Sequence, residues 1–391
     1  MTKILKNVMH EKWQGEIEIV SRVSIKNADD LALAYTPGVA KPCLEIQKNP
    51  DLSYTYTRRS NLIAVITDGS AVLGLGNIGG VAGMPVMEGK AVLFKEFAGV
   101  DAFPICIKSQ DTEEIINVCK NIAGSFGGIN LEDISAPRCF EIEERLINEL
   151  DIPVFHDDQH GTAIVVLAAL INALKLADKE FKDIKVVVQG AGAAGSAITR
   201  LLLSRGIDDL LLCDKQGIIY EGMQGLDKNM AKLAAITNRN KIQGTVADAL
   251  KDADVFIGVS APDTITGDMI RSMNSRSIVF AMANPVPEID PCLAKEGGAF
   301  IVGTGRSDYT NQINNVLAFP GIFRGALDVR AAKITEGMKL SAATAIAELV
   351  KENELSPEYI IPFPFNPEVG RAVAKAVAWQ AVREGVNRIN K

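Results

Sequence analysis

KVVVQGAGAAGSAITRLLLSRGIDDLLLCD, residues 185–214, decides the fold of the second half of the chain. A β-branched run leads into a glycine turn, a helical segment and a second apolar run, which is the opening unit of a dinucleotide-binding fold. Within the G-x-G-x-x-G pattern, Gly190 allows the tight turn, Gly192 lets the backbone approach a pyrophosphate, and Gly195 lets helix and strand pack closely. The helix that starts around Ala193 and Ala194 offers free N–H groups to the phosphates.

Asp214 ends the second strand of this unit, at about the spacing where an acidic residue binds the ribose of the cofactor. Its carboxylate can accept both ribose hydroxyls of NAD, and its charge would repel the 2′-phosphate of NADP. Lys215 beside it works in the opposite direction. The sequence therefore predicts NAD as the preferred cofactor and leaves NADP open.

A second G-x-G-x-x-G match, Gly74, Gly76 and Gly79, lacks this context because VAGMPV follows it. Glycine and proline make a poor helix start, so this match is not predicted to bind a dinucleotide. We interpret it as a flexible loop lining a substrate pocket, with a merely tight-turning loop as the alternative.

The N-terminal half also reads as α/β, because short apolar runs between residues 62 and 156 alternate with helical segments. We predict two domains: an N-terminal α/β substrate and catalytic domain over residues 1–160, and a Rossmann-type dinucleotide-binding domain with C-terminal helices over residues 161–391. An apolar helix starting near Thr162 is expected to join them.

Bulk properties exclude several classes of protein. The net charge is −7 with both signs mixed along the chain, so nucleic acid is not an expected partner. Six scattered cysteines predict buried thiols in a reducing cytosol, and no secretory signal is visible. The apolar run AIVVLAALI from Ala163 is too short to cross a bilayer. We therefore expect a cytoplasmic protein without membrane contact.

Acidic residues follow two of the predicted strands. Glu132 and Asp133 end one, and Asp158 ends another with Asp157 beside it. If the strands are near neighbours, the carboxylates converge, and their repulsion requires a cation between them. An all-oxygen set favours Mg²⁺ or Mn²⁺. For any single acid, a solvated loop position or a helix cap is the alternative.

His156 and His160 have the spacing of a zinc-protease motif, but three features argue against zinc. An aspartate follows the first histidine where a protease carries glutamate, a strand-like IPVF precedes the motif, and a third ligand is not obvious. We expect both histidines to be hydrogen-bonding and packing residues near the site.

Taken together, the motifs resemble the short bacterial-type malic enzymes. The resemblance covers nearly the whole chain, in the family's order: YTPGVA from Tyr35, TDGSAVLGLGNIGG from Thr67, MPVMEGKAVLF from Met84, NLEDI, FHDDQHGTA, GAGAAG, FAMANPVPE and NQINNVLAFPG. It implies oxidative decarboxylation of L-malate to pyruvate and CO₂, with reduction of NAD or NADP and a divalent metal ion.

The resemblance also implies roles for residues of this chain. Lys90 would be the general base, with a pKa lowered by burial and a nearby cation. Tyr35 would be the general acid, and Asp157 would support that pair. Glu132, Asp133 and Asp158 would hold the metal, while Asn284 and Asn315 would contact substrate and nicotinamide. A surface lysine and a half-buried aromatic residue are the ordinary alternatives for Lys90 and Tyr35.

One stretch departs from the family's pattern. Larger malic enzymes carry a carboxylate-gripping arginine in the TDG loop, where this chain has Ser70, Ala71 and Val72. Backbone N–H groups of residues 74–80, Asn284, Asn315 or a partner subunit are the candidates to replace it. The resemblance implies a homodimer or a larger homo-oligomer. A two-domain amino-acid dehydrogenase and a metal-dependent hydrolase are the alternative functions.

Overall fold

The protein is built around two mainly parallel β-sheets. The computed structural model describes residues 8–72 and 74–389. Its strands are β1 (Leu62–Thr67), β2 (Asp101–Cys106), β3 (Gly128–Leu131), β4 (Val154–His156), β5 (Lys185–Gln189), β6 (Asp209–Asp214), β7 (Gly217–Ile218), β8 (Val255–Gly258), β9 (Ile278–Ala281) and β10 (Ile301–Thr304).

The helices are α1 (Val8–Trp13), α2 (Ala28–Ala34), α3 (Ala40–Lys48), α4 (Ser53–Tyr56), α5 (Met84–Ala98), α6 (Thr112–Ile122), α7 (Arg138–Glu149), α8 (Asp157–Ala177), α9 (Ala193–Ser204), α10 (Lys228–Ala234), α11 (Val246–Leu250), α12 (Gly267–Arg271), α13 (Pro291–Glu296), α14 (Phe319–Asp328), α15 (Glu336–Glu348) and α16 (Glu368–Arg383). Short 3₁₀ turns span Pro50–Leu52, Arg58–Asn61, Ala123–Ser125, Phe181–Asp183 and Asn315–Leu317.

The first sheet has the order β2-β1-β3-β4, and all its strands are parallel. The residues of β1, β3 and β4 are almost all buried, as expected when helices cover both faces of a parallel sheet. Because β3 and β4 are neighbours, with Leu131 opposite His156, the residues that follow both strands meet at one edge. This edge carries the acidic residues.

The second sheet has the order β10-β9-β8-β5-β6-β7, with only β7 antiparallel. β5 has β6 on one side and β8 on the other, so the direction of winding reverses there. In open α/β sheets a ligand binds outside the carboxyl ends of the strands at this reversal. The predicted α/β fold class, with a Rossmann-type unit in the second half, is confirmed.

The helix α8 links the two sheets. It begins at Asp157 rather than near Thr162 as predicted, because His156 already has extended backbone and serves as its N-cap. It is long and apolar enough to span a membrane by length and composition, yet 72% of its most apolar stretch is buried inside the protein. Its side chains share one apolar core with residues of both sheets, including Ile63 and Val186.

The C-terminal helices return to the first half of the molecule. α14 packs against α5 and α16, and the ring of Phe94 in α5 meets those of Phe319 and Phe323 edge to face. The domain boundary between residues 160 and 161 stays a prediction, and α14 contributes to the core on the N-terminal side of it.

Candidate active site

Three carboxylates converge at the edge shared by β3 and α8. Each of Glu132, Asp133 and Asp158 offers an oxygen, and these atoms all lie within 4.8 Å of one another. We call these three residues the acidic cluster. Asp133 has a positive φ of 55°, and its backbone N–H donates to Oδ2 of Asp158 at 2.8 Å. The sequence prediction that these acids meet therefore agrees with the geometry.

Charge and burial make the acidic cluster suited to a cation. Burial first, and repulsion between the carboxylates second, raise the pKa of Asp133 to about 8, and burial likewise raises the pKa of Glu132. Oδ2 of Asp133 is buried and has no hydrogen-bond partner among the described residues. A hard divalent cation would satisfy that oxygen and neutralise the repulsion, since an all-oxygen set suits such ions.

Lys90 lies in the middle of α5, against the acidic cluster. Its Nζ is 2.7 Å from Oδ2 of Asp157 and 3.0 Å from Oε1 of Glu132. The ring of Phe319 lies 4.3 Å from the same nitrogen. The side chain is therefore a buried, paired cation, and the ordinary reading of a surface lysine is wrong.

The charge state of Lys90 differs from the expectation of a lowered pKa. Burial is the largest influence and lowers the pKa, but the charges of Asp157 and Glu132 together outweigh it and hold the pKa above its usual value. The physical reason is that two carboxylates lie within hydrogen-bonding distance of the ammonium group.

Asp157 joins Lys90 to Asn315, a residue from the second half of the chain. Its Oδ2 also accepts a hydrogen bond from Nδ2 of Asn315 at 2.7 Å. Its other oxygen, Oδ1, is buried without a hydrogen-bond partner among the described residues. A Cβ atom on Gly161 would lie 1.8 Å from that oxygen, so only glycine leaves room for this carboxylate.

Asn284 lies in the loop after β9, and its neighbour Pro285 lies beside the glycine-rich loop of the first half. A Cβ on Gly305 would lie 2.7 Å from Nδ2 of Asn284, and a Cβ on Gly74 would lie 3.7 Å from Cδ of Pro285. The loop around Gly74 is closely hydrogen bonded, since Gly76 donates to Val72. This loop therefore packs against Pro285, the residue after Asn284.

Arg138, which sequence reasoning missed, braces the loops around the acidic cluster. Its Nη1 lies 2.9 Å from Oδ2 of Asp68, and its Nη2 donates at 3.0 Å to the hydroxyls of Ser70 and Ser135. The next residue of this loop, Ala71, donates its N–H to the carbonyl of Asp133 at 2.9 Å. No sequence signal could have identified Arg138, because its partners come from separate loops.

The dinucleotide motif has the geometry its glycines require. Gly190 has φ 114°, and a Cβ on Gly195 would lie 1.6 Å from the carbonyl oxygen of Gly190. Around Gly192 nothing lies within 4 Å of a built Cβ, so the backbone is open to a ligand. Ala193 and Ala194 form the first turn of α9. Asp214 ends β6, where its Oδ1 accepts the N–H of Gln216 at 2.7 Å.

Tyr35 lies apart from the other predicted catalytic residues. It follows α2, its side chain is 68% exposed, and no hydrogen bond from its hydroxyl to Lys90 or Asp157 occurs in the described part of the chain. Its role as general acid stays a prediction.

The two histidines pack beside the site. His156 is buried, and burial lowers its pKa to about 4. Nε2 of His160 lies 2.9 Å from Oε2 of Glu143, which also accepts a hydrogen bond from Gln159. Neither histidine is in the candidate metal group, which consists of carboxylates.

Comparisons with known proteins show which family this chain is similar to. Residues 14–147 match the family described as malic enzyme, N-terminal domain, and residues 159–382 match malic enzyme, NAD binding domain. The bifunctional malic/malolactic enzyme of Bacillus subtilis is 57% identical over 382 residues, which are 97% of this chain and 93% of that protein. The NAD-dependent malic enzyme of Geobacillus stearothermophilus is 57% identical over 374 residues, covering 96% and 78%.

The chain is also similar in structure to a solved malic enzyme. The malic enzyme of Pyrococcus horikoshii superposes with a TM-score of 0.94 at 50% identity, covering 98% of this chain and 93% of that one. Other relatives, 46–51% identical, are named NADP-dependent malic enzymes, so the names of the relatives divide between the two cofactors.

Proposed function

This chain belongs to the malic enzyme family, and we propose that its reaction takes place at the acidic cluster and Lys90. The protein catalyses oxidative decarboxylation of malate to pyruvate with NAD(P). The observation that carries the assignment of the site is the contact of one buried lysine with the carboxylates at the β3 and β4 ends.

Glu132, Asp133 and Asp158 would hold a divalent ion, and we propose Mg²⁺ or Mn²⁺. When bound, such an ion supplies Lewis acidity toward the substrate oxygens. Its positive charge also replaces the repulsion within the acidic cluster by attraction. The backbone of Asp133 is left-handed, and its carbonyl accepts the hydrogen bond from Ala71.

Lys90 and Asp157 form the proton-transfer pair of the proposal. Their 2.7 Å separation allows a proton to pass between them, so Lys90 can give its proton to Asp157 and then accept the proton of the substrate C2 hydroxyl. Removal of that proton accompanies hydride transfer to the nicotinamide. Asn315 fixes the orientation of Asp157. We propose that Asn284, in the loop after β9, would contact substrate and nicotinamide together with Asn315.

Tyr35 would protonate C3 after CO₂ departs, and we infer that a homodimer or larger homo-oligomer brings it to the site. The segment around Tyr35 exposes a series of large apolar side chains, which a single chain leaves in water: Ile19, Val20, Val23, Ile25, Leu31, Leu33 and Leu44. So many large apolar side chains exposed within one short segment favour an interface with a second chain.

Asp214 supports a preference for NAD over NADP. A carboxylate at the end of the second strand accepts the ribose hydroxyls and repels a 2′-phosphate. We also propose a cytoplasmic location, because all six cysteines are free thiols.

One spectrophotometric assay tests the proposal. Formation of the reduced nicotinamide is followed with L-malate, NAD or NADP, and Mn²⁺, with and without a chelator. The proposal requires activity that the chelator abolishes and that added Mn²⁺ restores. Activity that survives full removal of divalent ions would refute the role of the acidic cluster.

A further inference from the structure

A surface cavity lies away from the acidic cluster, between the segment before β1 and helix α14. It has a volume of about 460 Å³, within the range of small-ligand pockets. We call it the arginine cavity, because Arg58, Arg324 and Arg330 line it. Thr55, Ser60 and Asn61 add further polar groups to its walls, and no carboxylate belongs to the described residues that line it.

Each arginine is held in place by an aspartate outside this lining. Arg58 pairs with Asp101 through a short contact. Nη2 of Arg324 lies 2.9 Å from Oδ1 of Asp328, and Nη2 of Arg330 lies 2.8 Å from Oδ1 of Asp51. These pairs fix the guanidinium groups but use only part of their donors, since a guanidinium carries five N–H bonds.

Two of the spare donors are buried. Nε of Arg324 and Nε of Arg330 have no hydrogen-bond partner within residues 8–72 and 74–389. The guanidinium of Arg330 also lies over the ring of Tyr54, 4.0 Å from its centroid, and that of Arg59 lies 4.4 Å from the same centroid. Two guanidinium groups therefore lie against one aromatic ring at the cavity wall.

We propose that the arginine cavity is a binding site for a small oxyanion that carries two or more negative charges. Guanidinium groups bind carboxylate and phosphate oxygens through paired, charge-assisted hydrogen bonds. A polyphosphate and a polycarboxylate share this chemistry, and the hydroxyls of Thr55 and Ser60 could donate to either.

Two elements that border the arginine cavity, β1 and α14, extend from it toward the candidate active site. Asn61 immediately precedes β1, whose other end leads to Asp68, and Arg324 belongs to α14, whose first residue Phe319 contacts Lys90. A side-chain hydrogen bond already joins Arg324 to Asn61 across the cavity wall. A bound anion would strengthen this junction and stabilise the folded protein.

Titration calorimetry of the full-length, metal-free protein tests the proposal, with pyrophosphate and citrate as the two probes. Saturating NAD occupies the dinucleotide site, and chloride at matched ionic strength controls for salt. We expect one site per chain for at least one probe. Binding of pyrophosphate alone identifies a phosphate site, binding of citrate alone a carboxylate site, and binding of both a general oxyanion site.

Three variants separate this cavity from other anion sites. Arg58→Gln removes a lining cation, and Thr55→Glu adds a carboxylate at an exposed position of the wall. Each should raise the Kd by about tenfold or more. Arg145→Gln is the matched control, because Arg145 is a partly exposed, paired arginine on α7 and does not line the cavity.

Absence of binding by both probes would overturn the proposal, and so would equal binding in wild type and Thr55→Glu. Thr55→Glu decides the matter if Arg58→Gln does not fold. The result is independent of the assay for malate oxidation.

Discussion

Nζ of Lys90 and Oδ2 of Asp157 lie 2.7 Å apart, although the residues are 67 positions apart in the chain. One comes from the middle of α5 and the other from the first turn of α8. The contact joins two elements that pack in the same apolar core. A fixed separation of this kind is what a proton transfer requires.

Replacing Lys90 by alanine should lower kcat by roughly 10²–10⁴-fold, because the substrate hydroxyl loses its proton acceptor. The measurement is the steady-state rate of nicotinamide reduction with malate and Mn²⁺. Lys95→Ala is the matched control, since Lys95 is on the same helix but pairs with Asp101 at the surface. Near-normal turnover of Lys90→Ala would exclude this lysine as the base.

Gly161→Ala should displace Asp157, because the new Cβ would lie 1.8 Å from Oδ1 of that residue. We expect lower kcat together with a loss of stability of about 1–3 kcal/mol, typical of overpacking in a tight interior. Chemical denaturation and steady-state kinetics measure the two effects. Gly124→Ala is the control, since nothing lies within 4 Å of a Cβ there. A fully active, fully stable Gly161→Ala protein would contradict the structure.

Arg138→Ala should weaken metal binding without removing a ligand. The loop that Arg138 braces donates a hydrogen bond to the backbone of Asp133, and loss of such outer contacts typically costs about 10–100-fold in metal affinity. Free Mn²⁺ is measured by electron paramagnetic resonance during titration, so the readout does not depend on turnover. Arg145→Ala, on the same helix, should bind Mn²⁺ as wild type does. Equal affinities for all three proteins would show that the brace has no such effect.

Asp214→Ala should shift cofactor preference toward NADP, because the charge that repels the 2′-phosphate is removed. We expect the ratio of kcat/KM for NADP to that for NAD to rise by about tenfold or more. Asp208→Ala is the control, since Asp208 precedes β6 and pairs with Arg239 at the surface. An unchanged ratio would mean that Asp214 does not select the cofactor.

Protonation of Glu143 should make the protein less stable in acid. Burial alone would raise its pKa, but His160 and Lys339 together lower it to about 2, from an ordinary value of 4.5. Because the folded-state pKa is depressed, the stabilisation is present above pH 4.5 and is lost as the pH falls toward 2. Its size is on the order of 3 kcal/mol.

Urea unfolding of wild type and Glu143→Gln checks this expectation. The stability difference between them should be large at pH 6 and should shrink toward pH 3. Glu144→Gln is the control, because Glu144 is the next residue of the same helix and its side chain is exposed. A difference that does not change with pH would exclude Glu143 as the titrating group.

The dinucleotide motif and the acidic cluster could be predicted from the sequence, because the first depends on residues close in the chain and the second on residues at strand ends. The glycine spacing from Gly190 to Gly195 reports local backbone requirements directly. The proximity of Glu132 and Asp158 could be predicted because neighbouring parallel strands end at a common edge of the sheet. The roles of these residues followed from the resemblance to the malic enzymes.

The remaining features depend on distant contacts that no local pattern encodes. The hydrogen bond between Arg324 and Asn61 spans 263 positions, and that between Asn315 and Asp157 spans 158. The pKa of Lys90 follows from which charges surround it, so its direction could not be read from MEGKAV alone. The same holds for Arg138, whose partners belong to three separate loops.

The helix α8 carries Asp157 and Asp158 in its first turn and packs along most of its remaining length into the core that both sheets share. Each residue of an α-helix adds 1.5 Å of rise and about 100° of rotation. A single insertion or deletion would therefore twist one end of α8 out of register with the other. The length of α8 therefore sets where Asp157 and Asp158 lie relative to the core that holds the rest of the helix.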